Sequence, residues 1–273
     1  MTKIYTLEND YLFKKIFSNQ EYLKQLLLDL FDIKTRKIEY LNTTLIKENK
    51  NSKVGIVDLL LSVDEEIVIL ELQNIDRYNF EERLLFYSSA VIHNHCLKEG
   101  EDYKRLKSIK VYAIINYPLF NSETKNSVRL KVKNKIFTKK LEYEIFDLTK
   151  FNKNNKENKY YELVNLFNTE NINALDKIIT SGIYKKMLEE IKRYNLDSEE
   201  YKKMEDIERL MMNETEHYDT AYEVGIERGI DLGINQGVIQ NKKEIAKSML
   251  EENIDIKLIS KITGLTKEQI SAL

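Results

Sequence analysis

The chain predicts an α/β protein: a layered sheet-and-helix domain followed by an all-helical C-terminal region. Two short runs, GIVDLLLSV (55–63) and IVILELQ (67–73), are apolar on both faces, as strands are in the middle of a sheet covered by helices. Segments with helical apolar spacing flank them at 9–31 and 79–97. Beyond about residue 160 no strand signal survives, so the layered part precedes a helical one.

Residues 9–31 carry Leu12, Phe13, Ile16 and Phe17, then Leu23, Leu26, Leu27 and Leu30. This is the pattern of two helices, with Asn9 as the first N-cap and a break at Ser18–Asn19. A strand over 35–48 leads into the 55–63/67–73 hairpin, whose turn falls on Asp64 and Glu65. Asp-Glu is not a pair that tight primed turns favour. Residues 79–97 form a helix, with Gly100 closing the polar stretch after it. A third buried strand lies within 107–118 and stops at Pro118, the only proline. Alternating segments at 128–137 and 141–148 complete the sheet. The Asn- and Lys-rich run 151–162 is a solvated loop or linker. The expected division is a core over 1–150, linker and helices over 151–215, and a distinct tail over 216–273.

In that tail Gly225, Gly229, Gly233 and Gly237 make up half of the eight glycines, each followed by Ile or Val. Four glycines in a helix cost about 3–4 kcal/mol relative to alanine. Close approach of a partner helix would compensate, and 221–250 is the expected self-association segment, with a floppy polar tail as the other reading. The last stretch, IDIKLISKITGLTKEQISAL, has the form of a small helix-turn-helix joined at Thr263–Gly264. It is either a DNA-reading element or a packing cap.

Apolar residues make up 42% of the chain, enough for a core, and charged residues 32% with a net of −2. Near-neutrality confines any nucleic-acid surface to a local patch. One cysteine, Cys96, excludes an internal disulfide and suits a reducing compartment. With no apolar run of about 18 residues and no signal-peptide stretch, the expected location is cytoplasmic. His93 and His95 point in different directions on a helix and have no second ligand pair, so zinc is not expected. Gly55 and Gly100 stand alone, with no phosphate-cradling loop around them.

If the turn is the two residues Asp64 and Glu65, counting outward places Asp58 directly opposite Glu71, whereas a three-residue loop would slide the partner by one. Opposed residues have Cβ atoms about 4.5–5.5 Å apart, and two carboxylates at roughly 5 Å repel by about 3 kcal/mol at an effective dielectric of 20. Gln73 follows on the same face. The arrangement is either a divalent metal site or a pair of ordinary strand polars facing water or Arg83. Arg83 and Tyr87 share a face of the 79–97 helix and are candidate phosphate contacts, or snorkel over the domain edge. Arg129, Lys131, Lys133 and Lys135 alternate, giving one cationic strand face that attracts phosphate backbones or merely protects an edge.

Taken in order, NDYLFKKIF, the GIVDLLL…IVILELQ hairpin, ERLLFY, EGEDYKRLKSIKVYAIINYPLF and the glycine-stepped tail resemble the recombination-promoting nuclease/putative transposase family of the PD-(D/E)XK nuclease superfamily. The resemblance implies a restriction-endonuclease-like core, a mixed central sheet flanked by helices, that cuts DNA with Mg²⁺ (Mn²⁺ substituting). It implies Asp58 and Glu71 as metal ligands, Gln73 where the superfamily pattern has a lysine, and Asp10 as an additional acidic residue of the site. Arg83, Tyr87, Lys131 and Lys133 would then hold DNA. The competing expectation is a catalytically inactive DNA-binding or assembly module of the same fold.

Overall fold

The computed structural model describes residues 3–45, 55–76, 79–119, 123–151, 156–167, 172–180, 182–252 and 254–273. Residues 46–48 of the expected 35–48 strand and 152–155 of the expected loop lie outside that set, as do the side chains of 213–229.

Two helices open the chain, α1 (Asp10–Ile16) and α2 (Gln20–Phe31). Each begins on an asparagine: Asn9 accepts from Leu12 N and Asn19 from Glu21 N, satisfying backbone donors that lack intrahelical partners. The strands β1 (Ile38–Tyr40), β2 (Thr44–Leu45), β3 (Gly55–Ile56), β4 (Leu59–Val63) and β5 (Glu66–Gln73) follow. Then come α3 (Phe80–His95), β6 (Ile109–Ile115), β7 (Lys125–Arg129), β8 (Lys131–Val132), β9 (Lys135–Ile136) and β10 (Leu141–Asp147). Helices α4 (Tyr161–Phe167), α5 (Ile172–Leu175), α6 (Gly182–Leu196), α7 (Ser198–Glu251), α8 (Ile256–Thr263) and α9 (Lys267–Ser271) complete the described elements.

The main sheet runs β1-β4-β5-β6-β10-β7. Its centre, β5-β6-β10, is parallel, while β1 and β4 on one side and β7 on the other pair antiparallel. Successive residues of β5 enter different cores: Val68, Leu70 and Leu72 meet α1, α2, α4 and α6, whereas Ile67 and Ile69 meet α3. Both faces are thus covered, which is why the strand reads as nearly continuous apolar sequence.

The β4–β5 register pairs Val63 with Glu66 and Leu59 with Leu70, as the count from the turn requires. The Asp64–Glu65 turn is made workable by Asp64 itself, which adopts φ 50. Its carboxylate accepts from Lys37 N and its amide donates to Lys37 O, each bond spanning 3.1 Å or less. Aspartate tolerates the left-handed region better than most residues.

Three expected strands differ. The 35–48 segment holds two, Ile38–Tyr40 in the main sheet and Thr44–Leu45 in a separate pair. Residues 55–63 are not one strand: Gly55–Ile56 pairs with Thr44–Leu45 in a separate two-stranded sheet, and the chain breaks at Val57–Asp58 before β4. The 128–137 segment is not one strand either. β7 ends at Arg129, and β8 and β9 form a small hairpin in which Lys131 faces Ile136 and Val132 faces Lys135. Because directly opposed residues share a side, Lys131 and Lys135 point to different faces and no single cationic face exists there. Finally, α4 and α6, within the segment expected to hold the linker and helices, bury Leu163, Leu166, Met187 and Leu188 in the same core as α1 and α2.

Two compact units result, Met1–Glu208 and Arg209–Leu273. In the second, Ala246 of α7 packs with Ile259, Leu265 and Ile270 of the α8–α9 turn region. Gly264 closes α8 at φ 73, donating its N–H to Ser260 O, and Thr266 opens α9 with a reciprocal capping box to Gln269. An added Cβ at Gly233 or Gly237 would meet no described atom within 4 Å. No described helix is long and apolar enough to cross a membrane.

Candidate active site

The site forms where β4 begins and β5 ends. One residue beyond the Leu59–Leu70 pair, Asp58 meets Glu71. The two are clasped reciprocally: Asp58 N donates to Glu71 Oε1 at 3.0 Å, and Leu72 N donates to Asp58 Oδ2 at 2.8 Å. The Asp58 carboxylate therefore accepts from a β5 amide in place of a strand carbonyl, and β4 starts only at Leu59. Glu71 is 3% exposed and the Asp58 side chain 13%.

Burial sets the electrostatics. Desolvation, with the nearby Asp10 charge, pushes the Asp58 carboxyl up to about 6 against the pull of Lys14 and the Leu72 amide. Desolvation, then the Asp58 charge, raises Glu71 well above the usual carboxylate range, although Asp58 N, Arg83 and Lys14 pull it down. Two buried carboxylates side by side are costly as a charged pair without added positive charge.

Lys14, a residue the sequence reading passed over, supplies part of that charge. It lies on α1 four residues after Asp10, and its Nζ is 2.8 Å from Asp10 Oδ2 and 2.9 Å from Asp58 Oδ1. Burial opposes its charge, yet Asp58 and Asp10 hold the ammonium above its ordinary range. The i,i+4 spacing of Asp10 and Lys14 was visible in the sequence; their meeting with a hairpin residue was not. Asp10 thus reaches the site through Lys14.

Gln73 is committed within the protein. Its Nε2 donates to Ile75 O at 2.7 Å, and its Oε1 accepts from Arg83 Nη1 at 3.1 Å. Gln73 therefore anchors Arg83 near Glu71. The Arg83 guanidinium also lies 5.8 Å from the centre of the Tyr87 ring. Tyr87 packs against the backbone of β3: a Cβ at Gly55 would sit 3.0 Å from Tyr87 Cε1. That close approach explains glycine at 55 and makes Tyr87 a packing residue on this side. Arg129 does not join a DNA-holding set, because it pairs with Glu142 at 2.7 Å and Glu144 at 2.5 Å. Lys131 and Lys133 are exposed on the β8–β9 hairpin, a separate two-stranded sheet that follows β7, the edge strand on the far side of β6 and β10 from β5. Cys96 is buried, which raises its thiol and removes nucleophilic character.

A family model described as PD-(D/E)XK nuclease family transposase matches residues 7–221. The chain belongs to that family. A second model, the C-terminal HTH domain of the Rpn/YhgA-like nuclease family, matches residues 240–273, the span that contains the α7 end, α8 and α9. No match to the chain was found among curated proteins or among solved structures. The mixed sheet with helices on both faces, followed by a helical C-terminal region, agrees with the PD-(D/E)XK fold.

PD-(D/E)XK nucleases generally use divalent metals, and the donors present here suit one. They are hard carboxylate oxygens, buried, mutually repelling and short of positive charge. Among the described residues no third His, Cys, Asp or Glu completes a larger ligand group. A site of two carboxylates fits an ion that keeps several waters, as Mg²⁺ does.

Proposed function

We propose that this PD-(D/E)XK family member is a metal-dependent DNA endonuclease that hydrolyses phosphodiester bonds and promotes DNA recombination or transposition. The observation that carries the reading is the buried Asp58–Glu71 pair, clasped through Asp58 N and Leu72 N at the end of the central strand. Asp58 and Glu71 would hold Mg²⁺ or Mn²⁺, which when bound supplies Lewis-acid charge at the scissile phosphate and an acidified water. The clasp fixes both carboxylates before any ion arrives, so little reorganisation is needed. Gln73 holds the Arg83 guanidinium beside Glu71, where its fixed fork suits a phosphate oxygen. Lys131 and Lys133 contribute backbone attraction from the hairpin.

The helix-turn-helix unit over 240–273 supports DNA as the partner, with α7 carrying self-association through 221–250. The open surroundings of Gly233 and Gly237 favour that role, since nothing described within the chain offsets their helical cost. The test is nicking of supercoiled plasmid with and without Mg²⁺. Asp58→Ala and Glu71→Ala are each expected to abolish metal-dependent nicking while leaving the protein folded. Undiminished cleavage by either purified variant removes the assignment.

One observation favours a second reading, an inactive DNA-binding or assembly module. Both ends of the Gln73 amide are engaged by protein groups, which leaves it no obvious hold on an attacking water. Metal-independent DNA binding without nicking by the wild-type protein would select it.

A further inference from the structure

We propose that Lys14 is a positioning residue that holds Asp58 in the metal-free protein and yields Asp58 Oδ1 to the divalent ion. The inference rests on the metal-dependent reading above. Asp58 has two carboxylate oxygens, and Oδ2 is taken by Leu72 N. Oδ1 is the oxygen that carries no backbone donor, and Lys14 Nζ lies 2.9 Å from it. A divalent ion and an ammonium at contact distance from one oxygen repel each other strongly, so an ion at Oδ1 favours withdrawal of Lys14.

The rest of the lysine's surroundings suits exchange. Its side chain is 36% exposed, so the ammonium has a route to solvent. Lysine is a compact point charge on a flexible four-carbon stem, able to swing without breaking a fixed fork of hydrogen bonds. Asp10, one turn earlier on the same helix, accepts from Nζ at 2.8 Å and retains it after Asp58 lets go. Glu71 and Arg83 are each held by a bond that does not involve Lys14, Glu71 by Asp58 N and Arg83 by Gln73. Without the lysine, Asp58 would stand beside Glu71 with no ammonium of its own, the condition that makes buried carboxylates unfavourable.

A purely structural Lys14, one that shapes Asp58 for the ion, predicts the opposite metal response, and this separates the two roles. Full-length protein is titrated with Mg²⁺ and Mn²⁺ and followed by thermal shift. Lys14→Gln is expected to lower the metal midpoint roughly tenfold, the size of one charge-assisted hydrogen bond to a competing cation. Labelling of wild-type Lys14 with an amine-reactive reagent, read by peptide mass spectrometry, is expected to quicken when Mg²⁺ is added. This second measurement decides the matter if the variant does not fold. A metal midpoint that is unchanged or raised in Lys14→Gln overturns the exchange, as does Lys14 labelling indifferent to Mg²⁺. If wild-type protein shows no thermal response to either ion, the metal reading fails and the exchange fails with it. A normal wild-type response with either negative Lys14 result overturns the exchange alone.

Discussion

Replacing Glu71 with glutamine should stabilise the metal-free protein at neutral pH. The substitution preserves shape and an oxygen to accept Asp58 N, now at 3.0 Å from Glu71 Oε1, while removing one of two facing buried charges. Opposed strand carboxylates at roughly 5 Å repel by about 3 kcal/mol at an effective dielectric of 20. Lost attraction to Arg83 and Lys14 offsets part of this and leaves a net gain of about 1–2 kcal/mol. For a unit of this size that is about 3–6 °C in melting temperature. The pH dependence carries the sign. Asp58 and Glu71 have folded-state affinities for protons above their ordinary values, Asp58 titrating at about 6. Their contribution to folding is therefore fully present in acid, below the unfolded carboxyl range; the Asp58 part is lost as pH rises through about 6, and the Glu71 part as pH rises through its own raised range. The advantage of Glu71→Gln should be absent near pH 4 and open as pH rises above the ordinary carboxylate range. Melting of both proteins in chelator across this interval is the assay. A variant no more stable than wild type at pH 7, or an advantage independent of pH, would refute the claim that the pair is held under mutual strain.

The double change Lys131→Glu with Lys133→Glu should weaken DNA binding without altering metal response, and reduce the slope of log affinity against log salt by about 2. An unchanged slope places the hairpin away from DNA. Gly233→Ala with Gly237→Ala should raise the helix content of the tail, each contributing about 1 kcal/mol, while lowering the oligomeric mass measured by sedimentation. Because an added Cβ meets nothing described within the chain, a mass that stays constant assigns these glycines no part in association.

The elements governed by near neighbours were readable from the residues in order. Asn9 and Asn19 announce α1 and α2 because a capping side chain satisfies amides within three residues of itself. The hairpin register followed from the Asp64–Glu65 turn because a period of two leaves no freedom once the turn is placed. The break at Val57–Asp58 was hidden, since apolar residues continue through it. It arises because Val57 N bonds to Thr43 O and Asp58 turns its carboxylate onto Leu72 N. Nor could alternation at 128–137 distinguish a long strand from the β8–β9 hairpin, where Lys133 at φ 55 reverses the chain. A sequence pattern records which way side chains alternate and not where the backbone folds back.

The order of residues placed Asp58 opposite Glu71 for a two-residue turn, because both sit in one hairpin and the pleat then dictates their sides; the folded β4–β5 register fixed that turn. Tertiary packing decided what surrounds them. Helix α1 delivers Lys14 to one oxygen of Asp58 and Asp10 to Lys14, α3 delivers Arg83 to Gln73, and both faces of the sheet are covered by helices. Charge at the site depends on desolvation and on cations brought from remote segments, and neither is set by local periodicity.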